Sequence, residues 1–145
     1  MRVLCLDVGE ERIGVAVSDE KGLLARPLEV IHRRSKQEDF QAISGLIEKW
    51  HVARLVIGLP LTLEGEIGPQ ARRVRRYGRT LSKMLAIPID FEDERYSTVD
   101  ALGVMRVTGG PRKKQRDRVD AVAATIILQS YLDTANRRHS DENQS

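Results

Sequence analysis

The chain has 145 residues, which suits one domain and is enough to bury a core without disulfide or metal staples. With 41% hydrophobic and 31% charged residues the composition is that of an ordinary globular domain, and the lone Cys5 excludes an internal disulfide framework. The net charge of +3 is too small to prove a nucleic-acid partner, and the 4% aromatic content argues against binding by base stacking.

The start of the chain leads directly into a strand-like pattern, without the pattern of a signal peptide. The longest apolar run, residues 121–128, is far shorter than the roughly 18 residues of a membrane span. Cys5 lies in an apolar run, as expected for a buried thiol in a reducing compartment. We therefore expect a cytoplasmic protein with no membrane partner.

The first three predicted strands form an antiparallel meander. Residues 2–8, 12–18 and 28–32 are rich in Val, Ile and Leu, and short polar turns separate them. A helix is predicted over residues 38–50, with Ser35 as its N-cap.

Strands and helices alternate in the rest of the chain. Residues 55–57 are continuously apolar, as expected for a central parallel strand. Pro69 opens a helix that reaches about residue 85, and residues 87–91 form the last strand. The fold class is therefore α/β, with a mixed five-stranded sheet flanked by helices on both faces.

The last third is predicted to be mostly helical. A short helix capped by Ser97 or Thr98 precedes residues 109–115, which we expect to be mobile, and the final helix covers residues 118–132. We assign residues 1–135 to a single domain and residues 136–145 to a disordered polar tail.

Asp7 is a carboxylate inside an apolar strand pattern. Alternation places it on the face of Val3 and Cys5, where a charge is costly unless it is protonated, paired or bound to a cation. The nearby Gly9 would let a backbone or a phosphate come close. The alternative is a structural role, in which Asp7 accepts hydrogen bonds from the amides of the turn.

Asp93 and Glu94 follow the last predicted strand and so lie at its carboxyl end, where open α/β sheets bind ligands. If the first and last strands are both parallel to the central one, Asp7 shares this edge with them. Arg95 can pair with either acid or with a phosphate. A surface turn with local ion pairs is the alternative.

Asp120 begins the last predicted helix, on the side of Ala123, Ala124 and Ile127, so the helix can approach the sheet closely. With Asp117 as N-cap, Asp120 would be the third helical residue, where the helix dipole also favours an acid. A metal ligand and a first-turn acid both fit this position.

Together these acids favour a site for divalent cations. Mg²⁺ prefers carboxylate oxygens, and two such ions about 3.5–4 Å apart can activate a water and stabilise the leaving oxygen of a phosphodiester. The three histidines are scattered and lack the spacing of zinc ligands.

Basic residues are clustered in three segments that suit contacts with phosphates. Solvated helix and loop faces are the alternative. One cluster contains His32, Arg33, Arg34 and Lys36. The candidates for contacts with a nucleic-acid backbone are Arg12, Arg72, Arg73, Arg76, Arg95, Arg112, Lys113, Lys114, Arg116 and Arg118.

Four motifs, in order, resemble the YqgF family, which is also called RuvX and contains pre-16S ribosomal RNA nucleases or Holliday-junction-resolvase-like proteins. The resemblance covers residues 2–133. The motifs are Leu6-Asp7-Val8-Gly9 with the strand over residues 12–19, then Val56-Ile57-Gly58-Leu59-Pro60, then Asp93-Glu94-Arg95, and then Val119-Asp120-Ala121-Val122-Ala123-Ala124.

The resemblance implies a ribonuclease-H-like fold in which Asp7, Glu94 and Asp120 form an acidic triad around two Mg²⁺ or Mn²⁺ ions. Asp93 could share that site. It implies an endonuclease that matures the 5′ end of small-subunit ribosomal RNA, with cleavage of branched Holliday-junction DNA as the related activity. Junction cleavage would call for two active sites and hence a homodimer, whereas end trimming would not.

Two other functions fit parts of the sequence. An Asp-x-Gly turn before a strand is also typical of the phosphate loops of actin-, sugar-kinase- and Hsp70-type proteins, but that architecture needs two lobes. A non-catalytic RNA-binding assembly factor would keep the basic clusters, although the intact acids argue against it.

Overall fold

A computed structural model describes residues 1–95 and 112–144 of the chain. The described residues form five strands and three helices. In chain order they are β1 (Val3–Val8), β2 (Arg12–Ser18), β3 (Ala25–His32), α1 (Lys36–Lys49), β4 (Arg54–Leu59), α2 (Pro69–Met84), β5 (Ile89–Asp93) and α3 (Arg112–Gln144).

The five strands form one mixed sheet in the order β3-β2-β1-β4-β5. The first three are antiparallel neighbours, whereas β4 is parallel to β1 and β5 is parallel to β4. This confirms the predicted sheet. The carboxyl ends of β1, β4 and β5 therefore meet along one side of the sheet, which we call the carboxyl edge.

Helices α1 and α2 cover one face of the sheet. Leu4 and Leu6 of β1 are fully buried there, against Phe40 and Ile43 of α1 and Leu81 of α2. The Ser35 side chain accepts a hydrogen bond from the Glu38 amide, which confirms the predicted N-cap of α1.

Helix α3 covers the other face. Cys5 and Val56 are fully buried under Ala124 and Leu128. The small alanine side chain lets the helix lie close to the strands, as the sequence predicted. Alternation along β1 thus sends Leu4 and Leu6 to one core and Cys5 to the other.

Helix α3 differs from the prediction at both ends. It begins at Arg112, so residues 112–115 are helical and not mobile as predicted, and it runs to Gln144 through the segment predicted to be a disordered tail. No Gly or Pro interrupts residues 112–144, and Lys, Arg and Gln are good helix formers. The short helix predicted after Ser97 or Thr98 and residues 109–111 lie outside the described residues.

Strand boundaries also shift by a few residues. Strand β3 begins at Ala25 and contains Pro27, which a strand at the edge of the sheet tolerates because it lacks a neighbour on one side. Strand β5 begins only after Pro88. In the part of the chain that the structure describes, no helix is long and apolar enough to cross a membrane.

Candidate active site

Asp7 and Glu94 lie together at the carboxyl edge. Asp7 is the next-to-last residue of β1, and Glu94 directly follows β5, where its amide donates a hydrogen bond to Leu59 O at 3.3 Å. The Glu94 carboxyl group donates a hydrogen bond to the Asp7 carboxylate. A contact between two acids requires that they share a proton.

Both carboxyl groups hold a proton more tightly than free acids do, chiefly because they are shielded from water. Burial, then the charge of Asp7, raises the pKa of Glu94 to about 8. Burial also raises the pKa of Asp7 to about 6, with a further contribution from the charge of Asp120, while the hydrogen bond from Glu94 opposes the rise. The pair thus resists full ionisation, because two negative charges in a partly buried place lack compensation.

Gly58 in β4 makes this contact possible. Strand β4 lies between β1 and β5, so Glu94 must reach across it to Asp7. A Cβ atom at position 58 would lie 2.6 Å from Glu94 Oε2 and 2.8 Å from Ile127 Cδ1. The glycine therefore leaves the space that the carboxyl group occupies, which explains a glycine inside a buried strand.

Asp120 reaches the same region from α3. Gly14 of β2 is the register partner of Asp7, and a Cβ atom on Gly14 would lie 2.0 Å from Asp120 O. The helix backbone thus rests directly on the strand beside Asp7. Because α3 begins at Arg112, Asp120 lies well inside the helix, and the first-turn explanation with Asp117 as N-cap is wrong.

The Asp120 carboxylate is held by Arg12. Arg12 Nε lies 2.6 Å from Asp120 Oδ2, and both side chains are about a quarter exposed. Within residues 1–95 and 112–144, no three acidic, histidine or cysteine side chains form a ready set of metal ligands. The structure therefore brings Asp7 and Glu94 into contact and places Asp120 next to them, in an ion pair with Arg12.

The chemistry of this pair fits a hard divalent cation. A cation can replace the shared proton and neutralise both carboxylates, and Mg²⁺ and Mn²⁺ favour such oxygen ligands. Cys5, the single thiol of the chain, is fully buried, and burial raises the pKa of that thiol. The donor set thus favours Mg²⁺ or Mn²⁺ over zinc.

Asp93 points away from the pair. Glu92 meets Ser130 of α3, whereas the ring of Phe91 lies against Gly78 of α2, so alternation puts Asp93 on the α2 side. Arg95 holds the Asp93 carboxylate with Nη2 at 2.6 Å and with its amide at 3.0 Å, which lowers the pKa of Asp93. The geometry gives Asp93 no contact with Asp7.

The predicted backbone-contact residues fall on two helices and the carboxyl edge. Arg72, Arg73 and Arg76 are exposed on α2, and Arg12 and Arg95 are partly buried in ion pairs with acids. Lys114, Arg116 and Arg118 are exposed on α3, and Arg112 and Lys113 belong to its first turn.

Sequence reasoning missed the spatial role of two glycines and one acid. Gly14 and Gly58 interrupt apolar strands, and a glycine inside a strand indicates a close approach, so this signal was present. Asp39 is 1% exposed and binds Arg33 Nε at 2.9 Å, although its place in the polar first turn of α1 predicts exposure.

The fold is that of junction-resolving nucleases. RuvC of T. thermophilus in complex with a Holliday junction matches with a TM-score of 0.51 and 15% identity, covering 88% of this chain and 92% of that one. The Fowlpox virus Holliday junction resolvase in complex with its DNA gives a TM-score of 0.56 at 8% identity, covering 93% and 99%. At these identities the likeness concerns the fold alone.

The family follows from closer relatives. A protein of Halothermothrix orenii with the name "Putative pre-16S rRNA nuclease" is 43% identical over 139 residues, covering 96% of this chain and 99% of its own. A relative of the same name from Carboxydothermus hydrogenoformans is 45% identical and covers 91% and 96%. The family model described as "RuvX: Holliday junction resolvase" matches residues 1–134. The chain therefore belongs to the RuvX family of nucleases, which confirms the resemblance of its motifs.

Proposed function

We propose that this protein is a divalent-metal-dependent nuclease that cuts phosphodiester bonds in precursor 16S ribosomal RNA near the 5′ end. One observation carries the proposal: two carboxyl groups distant in sequence, Asp7 and Glu94, are partly buried and in contact at the carboxyl edge. Ionising both carboxyl groups of such a pair costs free energy unless a cation is bound. Titratable groups with perturbed pKa values are typical of functional sites. The RNA substrate follows from the names of the relatives, which are described as pre-16S rRNA nucleases.

Asp7, Glu94 and Asp120 would hold the cations. When bound, divalent cations supply Lewis acidity, which activates a water for attack on phosphorus and stabilises the leaving oxygen. Asp7 contributes its carboxylate from a rigid strand, and Glu94 reaches it through the space above Gly58. Asp120 would join them by exchanging its contact with Arg12 for a cation.

Arg12 and the basic face of α2 would bind the substrate. The Arg12 guanidinium lies beside Asp120, so an arriving phosphate can take over its N–H donors. Exposed Arg72, Arg73 and Arg76 supply charge for the phosphate backbone. Contacts of this kind read the shape and charge of a structured RNA more than its sequence.

The direct test is cleavage with a matched control. Purified protein with Mn²⁺ or Mg²⁺ is offered a precursor 16S fragment, unstructured single-stranded RNA and a four-way DNA junction. We expect cleavage of the precursor, its loss in Asp7→Asn and in EDTA, and normal cleavage by Asp133→Asn, which changes an exposed acid on α3. Wild-type rates in Asp7→Asn would contradict the site.

The same assay separates the alternative substrate. The family description and the fold of the RuvC and Fowlpox virus resolvases favour branched DNA as the second candidate. If the protein cuts the junction and leaves the RNA uncut, a resolvase is favoured. Sedimentation of the protein with the junction would then test for the homodimer that junction cleavage calls for. Binding of every substrate without any cleavage would favour an assembly factor. The cytoplasmic location stays a prediction.

A further inference from the structure

A cavity of about 490 Å³ opens on the face of the sheet opposite to Asp7. It lies between the turn after β1, the start of α1 and the first turns of α2, and we call it the α1–α2 pocket. Its volume is in the range of pockets that bind small molecules. Its cationic lining residues are Arg33, Lys36, Arg73 and Arg76.

The pocket carries an excess of positive charge. Four of its lining residues are cationic, and Glu10 is the one carboxylate that lines it. Glu10 meets Arg73 at 3.4 Å, but both side chains are largely exposed, so this pair is weak. Lys36 and Arg76 are exposed and form no ion pair with the described residues. The pocket therefore favours an anion.

Arg33 is fixed in an orientation that suits a phosphate. Its Nε lies 2.9 Å from Asp39 Oδ2, its Nη1 donates to Gly9 O at 2.8 Å, and its guanidinium lies 5.0 Å from the centre of the Tyr77 ring. Asp39 is buried, so the anchor is rigid. A guanidinium has five N–H donors, and those not used by Asp39 and Gly9 can bind phosphate oxygens at little entropic cost.

Part of the lining is apolar. Val8, Val74 and Tyr77 supply hydrocarbon and ring surface next to the cations. An inorganic anion would leave this surface unused, whereas the sugar and base of a nucleotide would cover it. The combination points to a phosphate that carries an organic group.

The pocket and the acidic pair share one strand end. Asp7 and Val8 are consecutive in β1, so their side chains lie on opposite faces of the sheet at the carboxyl edge. A nucleic-acid strand that crosses this edge at Gly9 can reach both. We propose that the α1–α2 pocket binds the phosphate and sugar of one nucleotide, either within a nucleic-acid strand or as a free mononucleotide. The strand form rests on the proposed nuclease function, whereas mononucleotide binding does not.

The test is calorimetric titration of the full chain in EDTA, where no cleavage can occur. The probes are adenosine 5′-monophosphate, adenosine without phosphate, and a 5′-phosphorylated tetranucleotide. We expect the monophosphate to bind and adenosine to fail. The double variant Lys36→Ala/Arg76→Ala should bind the monophosphate about tenfold more weakly, or weaker still.

The control is Lys49→Ala/Arg79→Ala, which removes one lysine from α1 and one arginine from α2, both exposed and outside the pocket. It should bind the monophosphate as the wild type does. Equal loss in both double variants, or no binding of the monophosphate at millimolar concentration, would overturn the proposal. Both variants change only exposed side chains, and thermal unfolding verifies that they fold.

The remaining arms separate the two sources of the phosphate. Tighter binding of the tetranucleotide, with loss in Lys36→Ala/Arg76→Ala, identifies a strand subsite, whereas a preference for the monophosphate identifies a free nucleotide. Asp7→Asn should bind the monophosphate normally. If the protein binds the monophosphate but cuts no nucleic acid, the nuclease proposal is wrong and the pocket proposal holds. If it cuts nucleic acid but does not bind the monophosphate, the pocket proposal is wrong and the nuclease proposal holds.

Discussion

Arg12 Nε and Asp120 Oδ2 lie 2.6 Å apart, so one ion pair joins β2 to α3 at the border of the acidic pair. The carboxylate that a cation would need is therefore already occupied by a guanidinium. The Asp120 charge also raises the pKa of Asp7, in keeping with the close approach of the Asp120 backbone to Gly14, the register partner of Asp7.

Arg12→Ala should strengthen binding of divalent cations, because it frees Asp120 and removes a positive charge. We expect Mn²⁺ to bind the apo protein a few-fold tighter in calorimetry. Stability should fall by at most about 1 kcal/mol, since the pair is partly exposed. Arg12→Lys keeps the charge, so its affinity for Mn²⁺ should lie between those of the wild type and Arg12→Ala. Unchanged or weaker Mn²⁺ binding in Arg12→Ala would show that Asp120 is not a ligand.

The acidic pair should make the metal-free protein less stable as pH rises. The folded pKa values of Asp7 and Glu94, about 6 and about 8, lie above the ordinary 3.8 and 4.5. The native state therefore keeps protons that the unfolded chain releases, and the free energy of unfolding decreases between about pH 4 and pH 8. Chemical denaturation in EDTA across this range measures the slope.

Glu94→Gln should flatten that slope and stabilise the metal-free protein at pH 8 by roughly 1–3 kcal/mol. Glu48→Gln, which changes an exposed acid on α1, should retain the wild-type slope. Identical slopes in Glu94→Gln and wild type would mean that the pair does not hold a proton at neutral pH.

Gly14→Ala should displace α3 from the sheet. Its Cβ atom would lie 2.0 Å from Asp120 O, and this neighbour is backbone that a side-chain rotation cannot clear. We expect a loss of about 3 kcal/mol or more in the free energy of unfolding. Gly45→Ala is the matched control in α1, where nothing lies within 4 Å, and should stabilise by roughly 0.5–1 kcal/mol. A neutral Gly14→Ala would contradict the close approach of the helix.

Asp39→Ala should destabilise the protein by about 2–4 kcal/mol, because Arg33 loses its buried partner and Tyr77 OH, at 3.4 Å, loses an acceptor. Glu38→Ala removes the adjacent exposed acid and should cost less than about 1 kcal/mol. Urea unfolding compares the two, and equal effects would contradict a structural ion pair at Asp39.

Removing charge from α2 should weaken nucleic-acid binding and its dependence on salt. Replacing Arg72, Arg73 and Arg76 by Ala should reduce the slope of log affinity against log salt by about 2 for a single-stranded ligand. A triple variant of Lys21, Lys49 and Arg137, which are exposed elsewhere, should keep the slope. An unchanged slope in the α2 variant would exclude this helix from the interface.

The sheet and the approach of Asp7 to Glu94 were predictable because they depend on local periods and on one rule of parallel sheets. Apolar alternation identified β1 and β2, and the carboxyl ends of parallel strands must share an edge. The contact between Arg12 and Asp120 was not predictable, since 108 residues separate them and no local pattern specifies their pairing.

The start of α3 and the burial of Asp39 were not predicted from the sequence, for a different reason. Charged residues in a polar stretch usually indicate exposure to solvent, so residues 112–115 were predicted to be mobile, and no pattern in the sequence singled out Asp39. Tertiary partners decide such positions: His32 Nε2 meets Asp117 Oδ2 at 3.1 Å, and Arg33 holds Asp39. Tertiary contacts therefore outweighed local polarity at these positions.

Cys5 gives the molecule an internal reporter of local opening. It is the chain's single thiol, fully buried two positions before Asp7 between the sheet and α3. A thiol reagent can modify it only when α3 lifts or β1 detaches, so the labelling rate measures how often the two separate. Slower labelling with Mn²⁺ than in EDTA would show that the cation fastens helix to sheet.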